Sequence, residues 1–124
     1  MSKRMIGGFL VVGLLMAGAA QADCVYPKAP ANNPDGRTAT KDEMVAGMKA
    51  IKEYNASVAA YQNCLDQESN ARVEALGPNA TKDQVDQIKA IYQKRMDAAA
   101  QELESNAAVF NEQVKVYKAR EKKS

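Results

Sequence analysis

Apolar residues in the second half of the chain recur at spacings of three and four without a break. Val85, Ile88, Tyr92, Met96, Ala99, Leu103, Ala107, Phe110, Val114 and Tyr117 form one stripe, the signature of one face of a long amphipathic helix. A matching stripe runs earlier through Met44, Met48, Ile51, Tyr54, Val58, Tyr61 and Leu65. Both helices have a chemical start signal. Thr40-Lys41-Asp42-Glu43 and Thr81-Lys82-Asp83-Gln84 place a Thr at the N-cap and a Glu or Gln at N3, a reciprocal capping box. Gly77-Pro78 ends the first pattern, because Gly suits a left-handed cap and Pro cannot continue a helix. The expected helices are 41–76 and 82–118, within a helical hairpin spanning 40–120 and followed by a basic tail at 121–124.

The second stripe also repeats every eleven residues, as in Val85/Met96/Ala107 and Ile88/Ala99/Phe110, which predicts a nearly straight helix or a coiled coil with a slight right-handed supercoil. The short GPNA connection makes the helices antiparallel neighbours. Folding about it pairs positions whose numbers sum to about 158. Tyr54, Val58 and Tyr61 then face Leu103 and Ala98–Ala100, and Gly47-Met48 face Phe110, so large residues meet small ones. Asn55, Gln62 and Ser69 flank this seam at intervals of seven, where they either set register or reach solvent. ATKDEM at 39–44 and ATKDQV at 80–85 are near copies, explained equally by duplication and by a shared capping requirement.

Upstream the pattern stops. Residues 24–39 hold Pro27, Pro30, Pro34 and Gly36 with few apolar positions, which predicts an extended, proline-rich arm over 23–39. The fold class is therefore all-α: a long antiparallel two-helix hairpin with an N-terminal arm.

Residues 1–22 read as a cleaved signal peptide. Lys3 and Arg4 precede the apolar run IGGFLVVGLLMA, and Ala20-Gln21-Ala22 offers small residues before a cut between Ala22 and Asp23. The run is shorter than the ~20 residues of a spanning helix. A lipoprotein signal wants a leucine-like residue and a small residue where this chain has Gln21 and Asp23, which argues against acylation of Cys24. The expected compartment is the periplasm, with no transmembrane segment after processing.

Processing changes the charge. The chain has 17 basic and 15 acidic residues. Losing Lys3 and Arg4 leaves 15 of each, so no net positive charge points to nucleic acid. The remaining core is thin, with no Trp, five Tyr and Phe110 as its one Phe. A domain this poor in large residues needs a staple or a partner. Cys24 and Cys64 can supply the staple in an oxidising compartment, and closing that loop contributes roughly 4 kcal/mol in the chain-entropy model. Free thiols and intermolecular pairing are the competing outcomes. The arm is long enough to double back along the first helix and reach Cys64.

Nothing in the sequence calls for catalysis or a cofactor. There is no His, no phosphate loop and no nucleophile elbow, and pairs such as Asp66/Asn70 and Glu102/Asn106 are ordinary helix surface. An Asn55-x-Ser57 acceptor falls mid-helix, where modification is unexpected. Lys115, Lys118, Arg120, Lys122 and Lys123, opposed by Glu121, could contact an anionic surface. The alternative is complementing the helix dipole and facing Asp42 and Glu43 across the hairpin.

Cys24-x-x-Pro27, Pro30, Gly36, Glu43-Met44, Tyr54, Tyr61 and Cys64 resemble a pattern in small secreted proteobacterial proteins of unassigned function, over residues 24–65. The resemblance implies a Gram-negative periplasmic setting and a disulfide-clasped helical hairpin; it brings no activity with it. The expected role is a non-enzymatic structural or interaction protein working through helix faces, with a homodimer or an envelope protein as partner. Ile91, Val109 and Val116 are the candidate interaction face. The alternative is a holdase-like binder using a groove with Met44, Met48 and Met96.

Overall fold

The computed structural model describes residues 23–124; the expected signal segment, with Ala22 of its cleavage site, lies outside the described residues. Two helices pack against each other, α1 (Lys41–Ala75) and α2 (Lys82–Lys122). Both capping boxes form. Thr40 Oγ1 accepts from the Glu43 amide at 3.1 Å and Glu43 Oε2 accepts from the Thr40 amide at 2.8 Å, and Thr81 and Gln84 repeat the exchange at 3.2 and 3.0 Å. Each box satisfies backbone donors that an unassisted helix start leaves open. Gly77 closes α1 at φ 78°, a left-handed position that Gly takes without a Cβ clash.

The seam has the expected register. The Gln62 amide donates to the Met96 carbonyl at 3.3 Å, a pair summing to 158. Tyr54, Val58, Tyr61 and Leu65 bury against Tyr92 and Ala99 in one cluster, and Ala39, Met44 and Phe110 form a second. Ala99 is fully buried among the tyrosines of this cluster, so a small residue of α2 meets large ones of α1. Ser69 is buried as well, so two of the three polar flankers serve the seam and Asn55 alone is left exposed.

The arm has no regular secondary structure until a turn at Gly36–Thr38. There the Asp35 carbonyl accepts from the Ala39 amide at 2.7 Å and the Thr38 amide at 3.1 Å. The arm begins at the disulfide, with Cys24 and Cys64 at a Cα–Cα distance of 5.7 Å, and then runs back along one groove of the hairpin. Pro27 and Gly36 are buried along it.

Three expectations are corrected here. The helix does not give way to a basic tail at 121; it continues through Lys122, because the arm's turn lies beside this extra length. Arg120 Nη2 donates to the Ala39 carbonyl at 2.6 Å and its guanidinium stacks 4.9 Å from the Tyr117 ring centre. Arg120 thereby braces the arm rather than facing Asp42 and Glu43. Met48, expected in the seam, is 45 % exposed. Of the expected Gly47-Met48 pair, Gly47 makes the close contact, since a Cβ there would sit 2.8 Å from Phe110 Cε2, and Met48 stands at the edge of the seam.

Candidate interaction surfaces

The seam has two flanking grooves, and the arm occupies one. On α2 the arm's side is a single row at spacings of seven, four and three: Ile91, Ala98, Glu102, Val109, Gln113, Val116 and Arg120. Three of these hold the arm. The Tyr26 hydroxyl donates to Glu102 Oε2 at 2.6 Å, the Gly36 amide donates to Gln113 Oε1 at 2.8 Å, and Arg120 holds Ala39 through its carbonyl. The Tyr26 ring also meets Tyr61 edge-on, centres 5.3 Å apart. The hydrogen bond to the Glu102 carboxylate stabilises the protonated phenol, partial desolvation and the carboxylate's charge add to this, and the pKa of the half-exposed Tyr26 rises to about 12. Glu102 is therefore a latch for the arm and not the ordinary surface residue its spacing suggested.

This arrangement divides the expected interaction face. Ile91 and Val109 stand 55 % and 47 % exposed. Val116 is half-buried, because Gly36 packs onto its Cβ. The arm thus touches the row from Glu102 to Arg120 and half-buries Val116, whereas Val109, between Glu102 and Gln113, and Ile91, beyond Glu102, stay about half exposed.

The other groove has no arm in it. At the end of the hairpin where α1 starts and α2 finishes, Met44, Val45 and Met48 of α1 oppose Phe110, Val114 and Tyr117 of α2 around a shallow trough of about 260 Å³. Lys41 and Lys118 stand at its two rims. Met44 and Phe110 are buried in its floor, whereas Val45 and Met48 are about half exposed. Of the three methionines expected to line a client groove, Met48 alone is open; Met44 is core, and Met96 is half-buried against the central cluster.

Nearer the loop, Glu68 gathers a cluster that the sequence signals only in part. Its Oε1 accepts from the Tyr92 hydroxyl at 2.8 Å and from Arg72 Nη2 at 3.4 Å. The Arg95 and Arg72 guanidiniums lie 5.3 and 6.0 Å from the Tyr92 ring centre. Burial and the bond to Glu68 raise the Tyr92 pKa. The one sequence signal for this cluster was the Glu68/Arg72 spacing of four. Its other members meet because Tyr92 packs across the seam.

The Tyr54 hydroxyl is buried without a hydrogen-bond partner. Burial, and secondarily the nearby Glu102 charge, raise its pKa. Among the described residues, no three His, Cys, Asp or Glu side chains converge on a metal position, and no helix is long and apolar enough to cross a membrane. The basic residues near the C-terminus do different things. Arg120 holds the arm, Lys115 pairs with Glu112 at 2.9 Å, and Lys118 lines the open groove. Compared with known proteins, the chain matches no family model, no curated protein and no solved structure.

Proposed function

We propose that this protein is a non-enzymatic periplasmic interaction protein that works by association through the faces of its two helices. The observation that carries this reading is the economy of the core. A helix of 41 residues buries only Tyr92, Ala99 and Phe110 fully, while Val45, Met48, Ile91 and Val109 are each about half exposed along the hairpin. A chain that orders two helices of this length around so thin a seam presents most of their surface outward. Large apolar side chains at regular positions on that surface suit a second copy or an envelope protein. The disulfide keeps the arm in place, so one groove stays covered while the other remains accessible.

The experiment is to crosslink the protein in the cell envelope, recover it under denaturing conditions, and measure the purified protein by light scattering over a wide concentration range. A defined heterologous adduct, or a dimer dispersed by replacing Ile91 and Val109 with Lys, supports the reading. A monomer that captures nothing contradicts it. Suppression of client aggregation near equal molar ratio by that monomer would favour the holdase alternative instead.

A further inference from the structure

We propose that the open groove at the Lys41/Lys118 end of the hairpin receives an amphipathic helix of a partner protein whose apolar edge is flanked by acidic residues. The proposal rests on the association reading above and adds the site and the chemistry of the partner.

Shape comes first. The trough lies between two antiparallel helices, with apolar walls supplied by both, and a third helix laid along such a groove completes a three-helix arrangement. At about 260 Å³ the trough falls below the usual range of small-molecule sites; it accommodates a few inserted side chains. Its concavity is also unsuited to lying flat on a bilayer.

Charge then selects among helices. On α1, Lys41, Val45, Met48 and Lys52 follow one another at spacings of four, three and four, and on α2 Val114, Lys118 and Lys122 follow at four. Each apolar wall is thus edged by lysines. Lys41 and Lys118 stand on the trough itself, with Lys52 and Lys122 further along the same rows; those on α1 spread over about 16 Å of helix, so the cations do not converge on one point as a single carboxylate would require. None of these four lysines makes an ion pair among the described residues. Of the neighbouring acids, Glu43 is held in its capping box on the arm's side, Glu112 pairs with Lys115 and Glu121 with Arg120, and the exposed Asp42 is not among the residues that line the trough. The same rims disfavour a second copy seated groove to groove, since that would bring lysine against lysine. An acidic-flanked helix neutralises both rims and fills the trough.

The test uses the disulfide-bonded protein and two labelled synthetic helical peptides of about 18 residues. Both carry Leu at i, i+3, i+4 and i+7; one has Glu on the flanks and the other Lys. The Glu-flanked peptide should bind, more weakly as salt is raised from about 50 to about 500 mM, and the Lys-flanked peptide should not. Met48→Glu and Lys118→Glu, both at exposed positions, should each weaken binding on the order of tenfold with helicity unchanged by circular dichroism. Equal binding of both peptides, binding of neither, or variants that bind like the parent would overturn the proposal. Met48-dependent binding of dodecanoate or phosphatidylglycerol vesicles without peptide binding would also overturn it and assign the groove to lipid. If envelope adducts form through Ile91 or Val109 and persist in Met48→Glu, the association reading stands and this inference alone fails.

Discussion

Pro34 of the arm packs against Gly47 of α1, so closely that a Cβ at 47 would lie 2.9 Å from the proline ring and 2.8 Å from Phe110. This contact sets two opposing effects against each other. Replacing a mid-helix Gly by Ala gains about 1 kcal/mol of helix propensity, whereas overpacking typically costs about 1–3 kcal/mol. One colliding group is a ring in an arm fixed at both ends and the other is a buried aromatic, so neither yields easily. Gly47→Ala should therefore destabilise the protein, by up to about 2 kcal/mol, in urea unfolding of the oxidised form. A stabilised variant would show that the arm is not seated on Gly47.

The disulfide clasps the arm and does not create the helices, whose starts are capped locally by Thr40 and Thr81. Replacing Cys24 and Cys64 together with Ser should lower stability by roughly 4 kcal/mol or less and leave the far-ultraviolet circular dichroism helical at low temperature. Limited proteolysis should then cut within residues 24–39 before it cuts either helix. Loss of helicity along with the bond would contradict this division.

The Tyr26–Glu102 bond has a defined pH signature. Tyr26 ionises at about 12 in the folded protein and near its ordinary 10 once the arm is released. The folded state therefore holds this proton more tightly. The stabilisation is complete below pH 10 and is lost as pH rises through 12. Ultraviolet titration of Tyr26→Phe should lack the phenolate that appears near pH 12 in the parent. If the missing phenolate titrates near pH 10, the bond does not persist in solution.

The unpartnered hydroxyl of Tyr54 offers a substitution expected to be harmless. An unmet buried polar group costs about 1–3 kcal/mol, and Phe preserves the ring that fills the seam. Tyr54→Phe should be neutral or stabilising by about 1 kcal/mol in chemical denaturation. A loss larger than this would mean that the hydroxyl has a partner in solution.

What could be read in the sequence was what is decided locally or by periodicity. The capping boxes, the glycine cap at 77, the seam register and the pairing of Cys24 with Cys64 all depend on neighbouring residues or on simple reach. The choice of groove was not of this kind. Helical spacing treats the two sides of a seam alike, and only the arm distinguishes them, through Glu102, Gln113 and Arg120, which in sequence resemble any polar helix surface. That choice half-buries Val116, turns Arg120 inward and leaves Met48 open. Each helix taken by itself presents the interaction face as one uninterrupted row, whereas the arm interrupts that row from Glu102 to Arg120 and the opposite groove stays free.

Association through exposed helix faces is tested most directly by a photo-reactive amino acid placed singly at Met48, Ile91 or Val109, with Lys49 and Lys94 on the outer surface as controls, followed by irradiation of intact cells. At least one of the three apolar positions should give a discrete adduct, either with a second copy or with an envelope protein, and the control positions should give none. Identical yields at all five positions, or no adduct at any apolar position in an expressed and oxidised protein, would contradict a role in association.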